Sequence, residues 1–262
     1  MVEITSHLVE QIMVFAVGCC LGSFYNVVVC RLPAKESLVR PGSHCPHCNH
    51  PIAYYDNVPL LSYILLRGKC RYCRAPISIR YPTIEAVTGL LGLLLFNRYG
   101  LHIQLFIECF FVSLLILIAF IDLDTYLIPD VLSLSGIVAG FALSFLTPRL
   151  TWWDSLLGIV LGGGFLYLIA VGYQFVRHQE GLGGGDIKLL GMIGAFVGWP
   201  GVVFTILAAS IVGTVVGGVV MWRTRKGLAT MLPFGPFLSA GAVGYIFWGD
   251  AFYRWYLGKL TG

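Results

Sequence analysis

Apolar runs of about 17 to 25 residues recur along almost the whole chain, and they restrict its fold more than any other feature. A helix of that length crosses a hydrocarbon core of roughly 30 Å. Only 11% of the 262 residues are charged and 57% are hydrophobic, which leaves too little polar surface for a soluble globular protein. The sequence therefore predicts an all-α polytopic membrane protein. The eight predicted spans are 8–30, 82–97, 102–121, 130–147, 154–176, 187–199, 201–221 and 232–250.

These spans divide the chain into five predicted segments. The first span has neither a basic region before it nor a small-residue cleavage site, so we expect it to remain in the mature protein. The segments are a first transmembrane helix (1–30), a polar loop with four cysteines (31–82), a second transmembrane helix (83–101), a membrane core of several spans (102–225), and a last transmembrane helix with the C-terminal tail (226–262).

Basic residues indicate the orientation of the chain in the membrane. If the segment from Arg31 to Tyr81 faces the cytoplasm, the connections near 122–130, 177–188 and 222–230 share its side. Thirteen of the 17 lysines and arginines then lie on the cytoplasmic side, which the positive-inside tendency favours. The four on the other side are Arg98, Arg149, Arg254 and Lys259. Topology accounts for the net charge of +4, so we expect no nucleic-acid partner.

Four cysteines in the polar segment form two pairs with the same local sequence. Cys45-Pro46-His47-Cys48 and Cys70-Arg71-Tyr72-Cys73 are each followed by Pro-Ile, so the unit repeats with an offset of 25. Tight Cys-x-x-Cys turns direct both sulfurs at one ion, and four thiolates give Zn²⁺ its preferred tetrahedral shell. We predict a zinc site at Cys45, Cys48, Cys70 and Cys73.

Two alternatives to this zinc site stay open. The cysteines could pair as disulfides, although a loop on the reducing side of a membrane disfavours them. His44, His47 or His50 could replace a sulfur, but with four cysteines available we interpret these histidines as solvated loop residues. A closed four-cysteine site has no open position for water, so we expect the zinc to be structural. It would supply folding free energy that a polar loop of about 50 residues lacks.

Two aspartates stand at the edges of apolar runs, where charge is costly. Asp122 ends the third span, and Asp186 opens the sixth after three glycines. A carboxylate at a membrane face indicates function by default. Two that converge suit aspartyl proteolysis, in which an ionised carboxylate draws a proton from water and a protonated one polarises the scissile carbonyl. We predict that Asp122 and Asp186 are catalytic, since no Gly-x-Ser-x-Gly or His-Glu-x-x-His sequence competes with them.

Other interpretations of these carboxylates stay open. Asp186 could be a helix N-cap, Asp124 could assist Asp122, and Asp130 could cap the start of the fourth span. Three consecutive glycines favour function over capping, because they clear a strip of backbone that a peptide can approach closely. We expect substrate contacts at Gly183, Gly184 and Gly185.

Short motifs occur in a fixed order along nearly the whole chain. They are Gly22–Val28 with Arg31–Pro33, the two cysteine pairs, Asn57–Tyr63, Ile79–Glu85, Asp122–Asp130, Gly183–Lys188 and Pro233–Phe237. In this order they resemble the motifs of the bacterial type IV prepilin peptidases, which are intramembrane aspartyl proteases of the Gly-x-Gly-Asp class.

The resemblance implies an activity and places its site. The first catalytic aspartate of that family lies eight residues before the acidic or amide residue that follows a proline, which maps onto Asp122. The second maps onto Asp186. Members cut a short basic leader from prepilins or pseudopilins, after a glycine, at the cytoplasmic face of the bacterial inner membrane. Many also methylate the new N-terminal residue with S-adenosylmethionine, and the four-cysteine loop accompanies that second activity.

The binding site for the methyl donor cannot be assigned from the sequence. No Gly-rich strand-to-helix turn of the nucleotide-binding kind occurs. Asn26, Arg31, Arg80 and Glu85 are candidates near helix ends, and capping or snorkelling explains each of them equally well. Two other classes of protein remain as alternatives. A transporter would carry its carboxylates near the bilayer midplane, and a zinc-loop scaffold would need neither aspartate.

Overall fold

The computed structural model describes residues 2–147, 149–177, 183–224 and 232–260, and within these ranges it contains helices and no β-strand. The predicted all-α class is therefore confirmed. The α-helices of the described ranges are α1 (Val2–Arg31), α2 (Leu61–Leu65), α3 (Arg80–Tyr99), α4 (Ile103–Thr125), α5 (Asp130–Leu143), α6 (Trp152–Arg177), α7 (Gly184–Thr224) and α8 (Gly235–Leu260).

Four helices of the described chain are long and apolar enough to cross a membrane. They comprise His7–Arg31, Ile103–Thr125, Trp152–Phe175 and Gly184–Arg223. The predicted span 130–147 falls on a shorter apolar helix, Asp130–Ser144. The predicted spans 82–97 and 232–250 fall on α3 and α8. The chain is thus an apolar helical membrane protein, and the number of eight crossings stays a prediction.

Helix α7 contains a break where the sequence predicts a boundary between two spans. Gly198 has a φ of 69°, a left-handed conformation that favours glycine, and Pro200 follows it. The 41 residues of α7 would extend about 60 Å if straight, which is twice the hydrocarbon core. The break therefore divides α7 into a segment over 184–197, which is shorter than one full crossing, and a segment over 199–224, which is long enough for one.

The chain divides into two compact units, Met1–Leu117 and Ile118–Gly262, and each is described by itself. In the first unit, α1 packs against α3 through small residues. A Cβ at Gly22 would lie 2.7 Å from the Glu85 Cα, and a Cβ at Gly18 would lie 2.8 Å from the Gly89 Cα. Only hydrogen fits there, so the two backbones approach closely.

The second unit uses the same device between α6 and α7. A side chain at Gly158 or Gly194 would collide with the backbone of the other residue, and a Cβ at Gly162 would lie 2.5 Å from the Leu190 carbonyl oxygen. The Ser155 hydroxyl adds a 2.8 Å hydrogen bond to the carbonyl oxygen of α7 residue Ala195. This contact fixes the first segment of α7, which carries Asp186. Arg225, Lys226 and the predicted boundary between residues 225 and 226 lie outside the described residues.

Candidate active site and metal centre

The two cysteine pairs fold into turns with the same backbone hydrogen bonds, which we call knuckle 1 (residues 43–52) and knuckle 2 (residues 68–77). The amide of Cys45 donates to His50 O at 3.0 Å, and that of Cys70 donates to Ala75 O at 2.9 Å. Two further pairs of bonds match. The amide of Asn49 donates to Cys45 O at 2.8 Å, as that of Arg74 does to Cys70 O at 3.1 Å. The amide of Ile52 donates to Ser43 O at 2.9 Å, as that of Ile77 does to Gly68 O at 2.7 Å. The offset of 25 in the sequence is therefore an offset of 25 in structure.

The four sulfurs of the knuckles meet at one point. Their Sγ atoms all lie within 4.8 Å of one another, and those of Cys45 and Cys73 are 3.8 Å apart. A tetrahedral zinc with bonds of about 2.3 Å needs sulfur separations of about 3.8 Å. Every cysteine is a free thiol in the described chain, which includes all eight of them. The cluster is therefore compatible with structural zinc and does not form the alternative disulfides.

Two thiols of the cluster have displaced pKa values in opposite directions. Hydrogen bonds from the backbone of Cys73, and next from that of Tyr72, lower the pKa of Cys70 to about 6. At Cys73 a backbone bond from Ala75 lowers the pKa, but desolvation and the neighbouring thiols outweigh it and raise the pKa to about 11.

The surroundings of the knuckles agree with solvated histidines at positions 44 and 47. Both side chains are exposed, whereas His50 stacks on Tyr72 with 3.5 Å between the ring centroids. Arg71 forms a two-pronged ion pair with Asp56, with bonds of 2.7 and 2.5 Å. This pair fastens knuckle 2 to the segment between the knuckles, and sequence reasoning did not anticipate it.

Asp122 lies in the last turn of α4 and is 5% exposed. Its Oδ2 accepts a hydrogen bond of 2.9 Å from the backbone N–H of Gly235, the first residue of α8. A Cβ at Gly235 would lie 2.7 Å from that same oxygen. A glycine is therefore needed at the start of α8 for the bond to form.

Asp186 is the third residue of α7, and its amide donates to Gly183 O at 3.1 Å. Because α7 already begins at Gly184, Asp186 is not the N-cap that the alternative interpretation made of it. The side chain is partly exposed, and the charge of Asp122 acts on it. The two carboxyl groups, which we call the aspartate pair, are therefore close enough to interact, although 64 positions separate them in the sequence.

Two contacts bring the segments that carry the aspartate pair together. The Lys188 ammonium lies 2.7 Å from Asp130 Oδ1 in an exposed ion pair. Ile128 fills the space beside Gly185, where a Cβ would lie 2.8 Å from the Ile128 Cβ. Asp130 is in the first turn of α5, as predicted, and has a partner that sequence analysis missed.

The three glycines before Asp186 have different surroundings. A Cβ at Gly184 would meet no atom within 4 Å, and one at Gly183 would lie 3.4 Å from Asp186 Oδ2. Both residues are exposed, whereas Gly185 is partly buried against Ile128. Open backbone for a ligand is thus found at Gly183 and Gly184, while Gly185 is needed for packing. Asp124, which we predicted to assist Asp122, lies in the last turn of α4 and has an exposed side chain.

The role of Gly235 is the main feature of this site that sequence reasoning missed. The motif Pro233–Phe237 was recognised, but no chemical task was predicted for it. Its signal was a glycine between two Pro-Phe elements at the start of an apolar run. The sequence does not show which backbone amide bonds to which side chain, so the contact between Gly235 and Asp122 is visible only in the structure.

Comparison with protein families agrees with this geometry. Residues 16–99 match the family model of the bacterial peptidase A24 N-terminal domain, which contains the cysteine cluster. Residues 109–218 match the type IV leader peptidase family, a range that contains the aspartate pair.

Similar proteins decide the assignment. A prepilin leader peptidase/N-methyltransferase of Burkholderia pseudomallei is 38% identical over 264 residues, covering 90% of this chain and 84% of that protein. The chain belongs to the type IV leader peptidase family. Relatives in this family with the same name include one of Aeromonas hydrophila, 34% identical over 94% of this chain and 93% of that protein. A relative in Myxococcus xanthus is 42% identical over 82% of this chain, and the alignment spans 64% of its length. No solved structure matches the chain.

Proposed function

We propose that this chain cleaves the leader peptide of type IV prepilins or pseudopilins with Asp122 and Asp186 as its catalytic pair. The observation that carries the proposal is the aspartate pair itself, in which two carboxyl groups from α4 and α7 interact within one unit. Membership of the leader peptidase family supports it. Both aspartates lie at helix ends, which does not fit a transporter with carboxylates at the membrane midplane.

The aspartate pair would share one proton, because two neighbouring carboxylates repel each other when both are charged. The ionised member takes a proton from water as the water oxygen attacks the scissile carbonyl carbon. The protonated member donates its proton to the carbonyl oxygen. When the carbon–nitrogen bond breaks, a proton passes to the leaving nitrogen, and the products are a leader acid and a free amine. The bond from Gly235 orients the Asp122 carboxylate for this task.

The substrate would reach the aspartate pair beside the glycines. Its extended cleavage segment would lie along the open backbone of Gly183 and Gly184, and Gly185 would keep α7 close to Ile128. Its apolar helix would stay in the bilayer, and its basic leader in the cytoplasm. The aspartate pair and the knuckles would then lie at the cytoplasmic face of the bacterial inner membrane, a side that the distribution of basic residues favours.

The four sulfurs would hold one zinc ion with a structural role. Four protein ligands fill its tetrahedral shell, so no position remains for a reacting water. Metal binding would instead stabilise the fold of the two knuckles. In the described chain, few backbone hydrogen bonds hold the knuckles apart from those within their own turns.

The same chain would also methylate the amine that cleavage releases. Its relatives are named as both peptidases and N-methyltransferases. S-adenosylmethionine would supply a methyl group bound to a positively charged sulfur, an electrophile that a free amine attacks. The amine would take the methyl group and lose a proton, and the donor would leave as the neutral thioether S-adenosylhomocysteine.

One experiment tests both activities. Purified chain in detergent is incubated with a prepilin, with and without S-adenosylmethionine, and the product is weighed by mass spectrometry. Loss of a leader-sized mass tests cleavage, and a further methyl-sized gain tests transfer. Asp122→Asn and Asp186→Asn should each lower cleavage by about 10²- to 10⁴-fold, the usual contribution of a general acid or base.

The matched control is Asp154→Asn, the same chemical change at an exposed carboxylate that accepts a hydrogen bond from Thr151 at the start of α6. It should cleave at the normal rate. Normal cleavage by either variant of the aspartate pair, with the control also normal, would refute the catalytic assignment.

A further inference from the structure

A cavity of about 360 Å³ opens in the first unit beside the C-terminal half of α1. Its volume is within the range of about 300–1,000 Å³ that small-molecule sites occupy. One wall is a single face of α1, formed by residues at helical spacing that include Cys20, Ser23, Phe24 and Arg31. The cavity is thus lined by one helix and by the loop that carries the knuckles.

The opposite wall belongs to that loop. Gly42 and Ser43 line the cavity, and Ser43 is the residue of knuckle 1 whose carbonyl oxygen accepts the Ile52 amide at 2.9 Å. Asn57 and the neighbouring Pro59 complete this wall. Folding of knuckle 1 around its metal therefore also shapes the cavity.

One charged side chain, Arg31, lines the cavity, and a buried carboxyl group lies behind the wall at Ser23. Arg31 lines the cavity at the end of α1, and its Nη1 donates a hydrogen bond to the Ser37 carbonyl oxygen at 3.0 Å. Other N–H groups of the guanidinium can bind an anion. Behind Ser23 lies Glu85, which is 8% exposed and accepts hydrogen bonds from the Ser23 hydroxyl and from the Leu60 amide at 2.8 Å. The wall is therefore built around a buried carboxyl group.

This pattern fits a ligand that carries both signs of charge. A carboxylate suits Arg31, since charge-assisted and two-pronged bonds to guanidinium are strong. A sulfonium cation suits the aromatic ring of Phe24, which lines the cavity, and the carboxyl group behind Ser23. We propose that this cavity binds S-adenosylmethionine with Arg31 on its carboxylate, an inference that rests on the methyl transfer proposed above.

The cavity also separates the four candidates that the sequence offered for this site. Arg31 lines it, whereas Asn26 is 3% exposed and donates to the carbonyl oxygens of Gly22 and Tyr81. Arg80 does not line the cavity, and its guanidinium lies over the Tyr81 ring at 5.5 Å from the centroid. Glu85 acts through Ser23 and Leu60, as a positioning residue. The shared wall at Ser43 also gives a reason why metal loss should impair methyl transfer more than cleavage.

The test is calorimetric titration of the full zinc-loaded chain in detergent with S-adenosylhomocysteine, which keeps the carboxylate and cannot react. Arg31→Gln should weaken binding by about tenfold or more, the value of a charge-assisted hydrogen bond. Arg31→Lys should recover part of that loss. Gly42→Trp should abolish binding, because a Cβ at Gly42 meets no atom within 4 Å and the ring can enter the cavity.

The matched control is Arg40→Gln, which removes the same charge from the same loop at a position that does not line the cavity. It should bind within about twofold of the unaltered chain, as a surface charge contributes little. Leader cleavage is measured on every protein, and a normal rate shows that the variant is folded. If Arg31→Gln does not fold, Gly42→Trp decides.

Three results would overturn the inference. Normal binding by Arg31→Gln and Gly42→Trp would show that the ligand sits elsewhere, with methyl transfer still standing. Displacement of S-adenosylhomocysteine by micelles containing phosphatidylglycerol would assign the cavity to lipid headgroups. Absence of both binding and methyl transfer in the unaltered chain would remove the proposed second activity, and the cavity's role with it.

Discussion

The knuckles and the aspartate pair are assembled over very different distances along the chain. Each knuckle is closed by backbone bonds that span fewer than ten residues, and the four sulfurs come from residues 45 to 73. The aspartate pair joins residues 64 positions apart and takes its orienting amide from 113 positions away. A local centre needs a metal to stabilise it, whereas a centre between packed helices is held by the surrounding fold.

The largest effect should come from removing that metal. Replacing Cys45 and Cys48 together by serine should reduce bound zinc from one per chain to none, because binding worth about 10–16 kcal/mol is coupled to folding in such sites. Methyl transfer should fall with it, and cleavage should change much less. Zinc content by mass spectrometry and the two product rates measure this. The control is Cys30→Ser, an exposed cysteine outside the cluster. Retention of a full zinc ion would contradict the site.

The next largest effect concerns the distant amide. Gly235→Ala places a Cβ 2.7 Å from Asp122 Oδ2, so the carboxylate must move. A displacement of about 1 Å in a catalytic group costs roughly 10²-fold in rate, and cleavage should fall by that order. The control is Gly244→Ala on the same helix, where the Cβ lies 3.4 Å from a ring carbon of Phe204. Equal cleavage by the two variants would show that Gly235 does not orient Asp122.

A smaller effect should separate two adjacent glycines. Gly185→Ala brings a Cβ to 2.8 Å from the Ile128 Cβ, whereas Gly184→Ala enters open space. The collision must displace the backbone that carries Asp186, so the first variant should cleave on the order of tenfold more slowly. Cleavage by Gly184→Ala should change less, unless the substrate backbone needs that space. A Gly184→Ala defect larger than that of Gly185→Ala would mean that substrate contact outweighs packing.

The smallest effect belongs to the ion pair of the knuckles. The hydrogen bond from Arg71 lowers the pKa of Asp56, so this pair stabilises the loop above the ordinary carboxyl pKa of about 4 and is lost as pH falls through the lowered value. Asp56→Asn should speed zinc loss to a chelator by no more than about fivefold at pH 7. The difference in unfolding temperature between variant and unaltered chain should shrink as pH falls below about 4 and vanish below the lowered pKa of Asp56. A difference that persists in acid would exclude the ion pair as its cause.

Local chemistry explains which features could be predicted from the sequence. The knuckles were predictable because Cys-x-x-Cys with a following Pro-Ile determines its own turn. The break in α7 was predictable because Gly198 and Pro200 disfavour a continuous helix. The start of α7 was predicted at 187 and lies at Gly184, because a glycine-rich stretch has low helix propensity and the contact of Gly185 with Ile128 does not follow from the local sequence.

Contacts between distant segments explain what could not be predicted. The aspartates stood out as costly charges, but neither their approach nor the ion pair of Asp130 with Lys188 follows from a single stretch of sequence. The bond from Gly235 is the clearest case, since its donor is a backbone group. The same holds for the cavity beside α1, whose walls are brought together by Glu85 and Leu60.

The amide of Gly235 has a use beyond orientation. The first N–H groups of a helix have no partner within it, and here a carboxylate from another helix serves as the cap. The Gly235 N–H at the start of α8 therefore reports on the position and charge of the Asp122 carboxylate. The nuclear magnetic resonance shift and the exchange rate of this single proton would follow the Asp122 carboxylate through substitution and ligand binding, without any label attached to the aspartate pair.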